Sequence, residues 1–224
     1  MNGKNLLTAV RGLTNAATKL IDLIDTNPFI WTQKGAHMTV KPTNPFYPFP
    51  ELQTKRLLLR KLQQDDLHAV FNYASRTEVS RFMLWDTHQS TQDTQQFLNI
   101  SYEKYEKGEV APFAIEEKSS GRLIGTIDFV WWDKEHGVAE LGYVLTPDYW
   151  GQGFIPEAAE RLVQFGFDKM DLFRIEARCY ETNTNSTRVM EKIGMSHEGT
   201  LRGRMLVKGE RQNILLYSLL KNEV

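Results

Sequence analysis

The sequence predicts a mixed α/β fold whose sheet is antiparallel apart from one parallel pair of strands. Three observations carry that reading. The runs Phe113–Glu117, 123–132 and Val138–Leu145 are rich in β-formers, and residues 118–122 and 133–137 join them. Those joints are too short for helices, so the three pair as an antiparallel meander. A helical stretch over 156–169 then separates Val138–Leu145 from a further strand at Arg174–Tyr180. A crossover of that length sets the two strands parallel. Finally, two β-rich runs, 195–207 and 213–219, turn through Lys208-Gly209 as a hairpin.

The remaining elements follow in chain order. Leu6, Val10, Leu13, Ala17, Leu20 and Ile24 recur at alternating spacings of four and three, which predicts an amphipathic helix. Its narrow stripe suits docking on its own domain or self-association. Gly35-Ala36-His37-Met38 resembles a cloning junction with Met38 as a natural start, in which case residues 1–37 are an appended segment. The proline-rich stretch 42–50 reads as an extended arm. The expected division is therefore an N-terminal segment, 1–50, and a globular domain, 51–224. Residues 54–62 open that domain as a strand, and Asp65 or Asp66 caps a helix running to Ala74. Phe82, Met83, Leu84 and Trp85 form an apolar segment between helices, as core, lid or substrate wall. Ser90 and Thr91 introduce a helix carrying Phe97, Ile100, Tyr102 and Tyr105 and ending at Gly108. A helix over 185–193 ends at Gly194.

Composition removes several function classes. With 224 residues, 41% hydrophobic and 25% charged, the chain can bury one full core. A net charge of −1 offers no electrostatic footprint for nucleic acid or an anionic membrane. The single cysteine, Cys179, excludes an internal disulfide and a cysteine-ligated zinc site. It alternates with Ile175 and Ala177, as a small buried hydrophobe would. His68, His88, His136 and His197 lack metal-ligand spacing, so no metal is expected. No apolar run approaches the roughly 20 residues needed to cross a bilayer, and no signal peptide is evident. A cytoplasmic protein is the expectation.

One stretch organises the chemistry. Val138–Leu145 is broken by Thr146-Pro147-Asp148, and Trp150-Gly151-Gln152-Gly153 then leads into a helix. Glycines ahead of a helix start let backbone N–H groups turn outward at the positive end of the helix dipole, which suits a phosphate. Pro156 supplies no N–H, so such a cradle must come from Gly151 to Ile155. Two glycines at a turn are equally ordinary turn chemistry. No Gly-Lys-Ser/Thr follows, as a P-loop would need, and the third glycine of a dinucleotide fingerprint is missing.

Downstream, Asn183-Thr-Asn-Ser186 and Val189-Met-Glu-Lys-Ile-Gly-Met195 join Glu140-Leu-Gly-Tyr143 and Tyr149-Trp-Gly-Gln-Gly153. Together they resemble the GNAT superfamily of acetyl-CoA-dependent N-acetyltransferases. With Glu198-Gly-Thr-Leu-Arg202 and Leu216-Tyr-Ser-Leu219, the chain is similar to the branch that acetylates ribosomal-protein N-termini (RimJ/RimL type), over about residues 52–221. The resemblance implies that the parallel strands splay apart and that acyl-CoA enters the gap. Main-chain groups of Val144 and Leu145 would then meet the pantetheine. Trp150 and the amides of Gly151, Gln152, Gly153, Phe154 and Ile155 would hold the pyrophosphate, Asn183 the pantetheine arm, and Ser186 would sit near the sulfur. Three positions depart from the pattern. Trp150 stands where many members have Gln or Arg, Ile155 replaces Gly or Ala, and Met190 replaces a tyrosine that protonates the departing thiolate. That last role passes to Ser186 or to water.

Amide formation needs a neutral amine, a donor for the developing oxyanion and a sink for protons. An α-amino group, with an unperturbed pKa of roughly 7.7–8.0, is already partly neutral near neutral pH. Glu140, on the strand entering the gap, is the base candidate; a surface or ion-paired glutamate is the alternative. Ser186 is either a proton donor or a helix cap. Asp128 interrupts an apolar strand, either facing outward or lining an acidic substrate site, and Trp85 is the other substrate-contact candidate. The backbone N–H of Val144 or Leu145 could serve the oxyanion. Trp131 and Trp132 put one ring on each face of the sheet. The expected function is acetyl transfer from acetyl-CoA to an amine, foremost a ribosomal-protein N-terminus, in a ternary complex. A small-amine acetyltransferase and a CoA-binding module without turnover are the alternatives, and a monomer or homodimer the expected state.

Overall fold

The computed structural model describes residues 44–224, together with the short segments Phe29–Ile30 and Thr39–Val40. The chain divides between Asn44 and Pro45. Ahead of that division, Phe29–Ile30 pairs antiparallel with Thr39–Val40. The helix expected over 6–24 and the junction at 35–38 lie outside the described residues.

From Pro45 onward the elements are β1 (Leu52–Gln53), β2 (Leu57–Lys61), α1 (Leu67–Ala74), α2 (Thr77–Ser80), α3 (Thr91–Lys107), β3 (Phe113–Glu117), β4 (Arg122–Asp133) and β5 (Val138–Leu145). There follow α4 (Phe154–Lys169), β6 (Arg174–Tyr180), α5 (Thr184–Lys192), β7 (Ser196–Val207) and β8 (Glu210–Leu220). The strands form an eight-stranded sheet in the order β1-β2-β3-β4-β5-β6-β8-β7. Every neighbouring pair is antiparallel except β5 with β6. The meander, the parallel crossover and the Lys208-Gly209 hairpin stand where pattern and spacing placed them. The short helix α2 was not foreseen, because four residues carry too little periodicity to register.

Helices cover both faces of the sheet. On one face lie α1 and α3, where the Tyr73 hydroxyl reaches Thr126 of β4 at 3.5 Å. α3 is well terminated: Ser90 and Asp93 form a capping box, and Gly108 closes it at φ 64°. On the other face, α4 buries Ala158, Ala159, Leu162, Val163 and Gly166. Gly166 lets the helix approach closely, since a Cβ there would stand 2.8 Å from Phe129 and 2.9 Å from Leu172. That seating fixes where the N-terminus of α4 points.

The arm expected over 42–50 is in part a strap. Phe46 and Phe49 are both buried. Phe46 meets Trp132 and Phe165 edge-on, and Phe49 packs on Tyr105 and Phe113. The compact unit begins at Pro45. Prolines set an extended backbone in either case, and only the tertiary contacts tell a linker from a strap.

Candidate functional site

The β5–β6 ladder runs only from Val138↔Arg174 to Leu141↔Ala177. Beyond it β5 remains paired with β4, from Asp128↔Gly142 to Gly125↔Leu145, and β6 remains paired with β8. Gly142–Leu145 and Arg178–Tyr180 therefore part from each other. A cleft of about 800 Å³ opens at that gap, lined by Tyr143, Leu145, Trp150, Gly151, Asn183 and Val189 among others.

The main chain of β5 alternates across the gap. A Cβ on Gly125 would stand 2.2 Å from the Val144 carbonyl oxygen, so that carbonyl faces β4. Successive strand residues present N–H and C=O to opposite sides, so Tyr143 and Leu145 present theirs to the gap. Trp150 Nε1 donates to the Leu145 oxygen at 2.8 Å, which agrees with that orientation. Both residues expected to offer backbone to a strand-like ligand, Val144 and Leu145, line the cleft, with the Val144 carbonyl turned toward β4. Tyr143, not singled out in the sequence, lines the cleft beside them.

Past β5, a turn at Pro147–Tyr149 leads to Gly151 and Gly153, both left-handed at φ 73° and 77°. Gly153 caps α4, and Phe154 begins it. The N–H groups of Gly151, Gln152, Gly153, Phe154 and Ile155 find no acceptor among the described residues. Pro156 is the third helical residue and adds none. Two cations flank this end: from a Cβ placed on Gly153, Lys192 Nζ would lie 3.6 Å away and Arg56 Nη2 3.7 Å. Arg56 is anchored by Glu157 at 2.6 Å and by the Gln152 carbonyl at 3.0 Å. Lys192 has no ion pair among the described residues. Positive side chains at the positive end of a helix repel it. The arrangement is favourable only when an anion lies between them.

Across the cleft, Asn183 caps α5 by accepting the Ser186 N–H at 3.2 Å. The Ser186 hydroxyl lies 2.7 Å from Tyr143 Oη. Tyr143 Oη also donates to the Ser186 carbonyl at 3.2 Å, and the Cys179 thiol lies near Ser186. Burial raises the Tyr143 phenol far above its ordinary range and lifts the Cys179 thiol to about 11, so both are neutral hydrogen-bonding groups here. Met190 is fully buried and offers no donor.

On the opposite face, Glu140 is tied down. Its Oε2 accepts from Trp131 Nε1 at 2.5 Å and from the Arg178 guanidinium. Asp128 stands across from Gly142, part-exposed, and makes no hydrogen bond or ion pair among the described residues. Trp85 packs beside His88, while its segment mates Phe82 and Met83 reach the cleft. The expected residues thus fall into two groups. Val144, Leu145, Trp150, Gly151, Gly153, Phe154, Ile155, Asn183 and Ser186 line one cleft, and Glu140 and Asp128 lie on the α1/α3 face of the sheet. Gln152 adjoins the first group, with its side chain on the Asp148 carbonyl at 3.0 Å.

Comparison with known proteins is consistent with this geometry. Residues 56–196 match the family model described as an acetyltransferase (GNAT) domain. An uncharacterized N-acetyltransferase of Bacillus licheniformis is 35% identical over 77% of this chain and 97% of its own. The crystal structure of a GNAT-family acetyltransferase from Bacillus anthracis superposes with TM-score 0.71 at 32% identity, covering 78% of this chain and 100% of that one. More distant matches differ in acceptor. Spermidine N(1)-acetyltransferase of Escherichia coli is 22% identical over 74% of this chain and 86% of its own. RimL, a ribosomal alpha-N-protein acetyltransferase solved with coenzyme A, shares the fold at TM-score 0.68 and 16% identity, covering 78% and 100%.

Proposed function

This chain belongs to the GNAT acetyltransferase family, and we propose that its acceptor is the α-amino group of a protein N-terminus, foremost of a ribosomal protein. Acetyl-CoA is the donor and supplies the acetyl group as an activated thioester. The observation that carries the acetyl-transfer reading is the parted β5–β6 pair opening beside five amides that lack acceptors among the described residues. The residues present fit the donor. A Cβ on Gly153 would fill the space between Lys192 and Arg56 where a pyrophosphate would lie. Tyr143 and Leu145 would pair with the pantetheine amides as a strand pairs with its neighbour. Asn183 closes the cleft beside the arm, and an N–H facing the gap would receive the oxyanion. Ser186, bonded to the neutral Tyr143 phenol, would return a proton to the departing thiolate.

Two features support an α-amino acceptor. Its ordinary pKa of roughly 7.7–8.0 leaves much of it neutral at physiological pH, so positioning and a modest base suffice. The sequence likeness to the RimJ/RimL branch supports the same acceptor. The test is a thiol-release assay with acetyl-CoA, using peptides that begin with Ser, Ala, Met or Asp, and spermidine and aminoglycosides beside them. Turnover on peptides is the expected result. Turnover confined to the small amines would overturn the acceptor while keeping the chemistry.

The phosphate end can be tested separately. Gly153→Val places a β-branched residue at a φ of 77° and fills the cradle. Losing two charge-assisted amide contacts, at about 1.5–3 kcal/mol each, should weaken CoA binding on the order of a hundredfold or more. Calorimetric titration with CoA reads the change directly, and wild-type affinity would remove the cradle from the site.

A further inference from the structure

The carboxylate nearest the gap in sequence terms, Glu140, already has two donors on one oxygen. Asp128 has none among the described residues, although it lies closer to where the strands part. Gly142, its cross-strand partner, is the first β5 residue beyond the last β5–β6 rung. A Cβ on Gly142 would come within 3.1 Å of Asp128 Oδ1 and 2.7 Å of Val130, so the carboxylate lies directly over that glycine. Thr126 contacts α1, and Asp128, two residues on, occupies the same face. It therefore stands on the side of the sheet away from α4, at the first rung beyond the point where β5 and β6 part. The groups facing it are Tyr73 from α1, Lys104 and Tyr105 from α3, and Glu140 from β5. None supplies a hydrogen bond: the Tyr73 hydroxyl is on Thr126, and Tyr105 is engaged by Leu62 and Pro112.

We propose that Asp128 receives the acceptor's ammonium from the α1/α3 face and takes its proton, while Glu140 acts as a positioning residue through Arg178 and Trp131. This rests on the N-acetyltransferase reading above. The amine nitrogen bonds to the acetyl carbon and the carbon–sulfur bond breaks. Of the two protons the nitrogen loses, one passes to Asp128 and on to solvent. The other balances the sulfur, which leaves as the thiol. An unbonded carboxylate in a crowded setting suits both parts of this task. Burial lifts it from the ordinary carboxylate range to about 6, with Lys104 pulling down and Glu140 adding to the rise. It is ionised at neutral pH, ready to accept an ammonium, and its pKa is close enough to the amine's to exchange a proton.

The experiment uses the full chain and follows thiol release from acetyl-CoA against pH, with an amine that wild type acetylates. In wild type, kcat/KM should rise with pH through about 6, as Asp128 loses its proton. Asp128→Asn should lower kcat by about 10²–10⁴-fold and abolish that limb, with CoA affinity unchanged. Its stability should change in the opposite sense. A folded-state pKa raised above the unfolded value of about 3.9 means that stability falls as pH rises from there through about 6. Removing the charge should therefore raise Tm at pH 7.5 by a few degrees. A structural residue would lose activity and stability together. Glu140→Gln removes a repulsive neighbour and leaves the Arg178 cation unpaired, so it should move the limb to lower pH without abolishing it. The proposal is overturned if Asp128→Asn keeps the wild-type rate and limb, or if Glu140→Gln is the variant that loses the limb; acetyl transfer by wild type would then still stand. No turnover by wild type on any amine, with CoA still bound, overturns the enzymatic reading and this proposal with it.

Discussion

Replacing Gly125 with alanine should destabilise the protein by about 3 kcal/mol or more and weaken CoA binding as well. The new Cβ would stand 2.2 Å from the Val144 carbonyl oxygen, 3.0 Å from Leu145 Cα and 3.2 Å from Leu145 Cδ1. The first two are backbone atoms of a paired strand, so no rotamer change relieves the collision. Either β4 or β5 must move. Thr146 N–H is bonded to the Ile124 carbonyl at 2.8 Å, which ties the end of β5 to this part of β4. The shift would therefore reach Tyr143 and Leu145, whose main chain faces the cleft. Urea denaturation gives the stability change, and calorimetric titration with CoA gives the affinity. A loss of stability below about 0.5 kcal/mol, within the range of an ordinary surface change, would show that the strands have more room than the geometry allows.

A comparable loss should follow Arg60→Met. Arg60 is buried on β2, with Nη1 and Nη2 on the two oxygens of buried Asp66 at 2.7 and 3.0 Å. Its Nε reaches Glu116 at 2.6 Å, and Nη1 also donates to the Lys61 carbonyl at 2.9 Å. These partners raise the guanidinium pKa further above its ordinary value, the Asp66 hydrogen bonds contributing most. Removing Arg60 leaves a buried carboxylate without its counter-charge, a change that costs about 3–5 kcal/mol in comparable settings. The double variant Arg60→Met/Asp66→Leu should recover much of that, since it leaves no orphaned charge from this pair. Asp66 also accepts the Gln63 N–H at 2.7 Å, which the double variant loses, so recovery should be incomplete. Chemical denaturation of the two variants decides the matter: a single variant as stable as the double one would mean that the pair is not coupled.

Much of the architecture was legible before any coordinates. The meander is readable because five-residue joints leave only the antiparallel solution, and the parallel pair because a helix-length crossover leaves only the parallel one. Gly108, Gly153 and Gly194 mark helix ends because left-handed backbone favours glycine. The start of α4 was readable from the two glycines and Pro156, which are local features of the chain.

What lay outside reach was whatever depends on two distant segments meeting. The 42–50 stretch looks the same in sequence whether its aromatics face water or a core. It took contacts with Tyr105, Phe113, Trp132 and Phe165 to make Phe46 and Phe49 part of the unit. Tyr143 sits beside Ser186 because β5 and α5 face each other across the cleft, although the two are 43 residues apart. Glu140 and Asp128 differ most clearly of all. Both are single carboxylates in apolar strands, and alternation assigns each a face but not a neighbour. Arg178 and Trp131 engage one, and the bare backbone of Gly142 leaves the other open. Local spacing determined the elements and the helix-start cradle of this protein. Tertiary packing decided which charges are paired and which remain free to react, because the field at a carboxylate comes from groups that only the folded chain brings near.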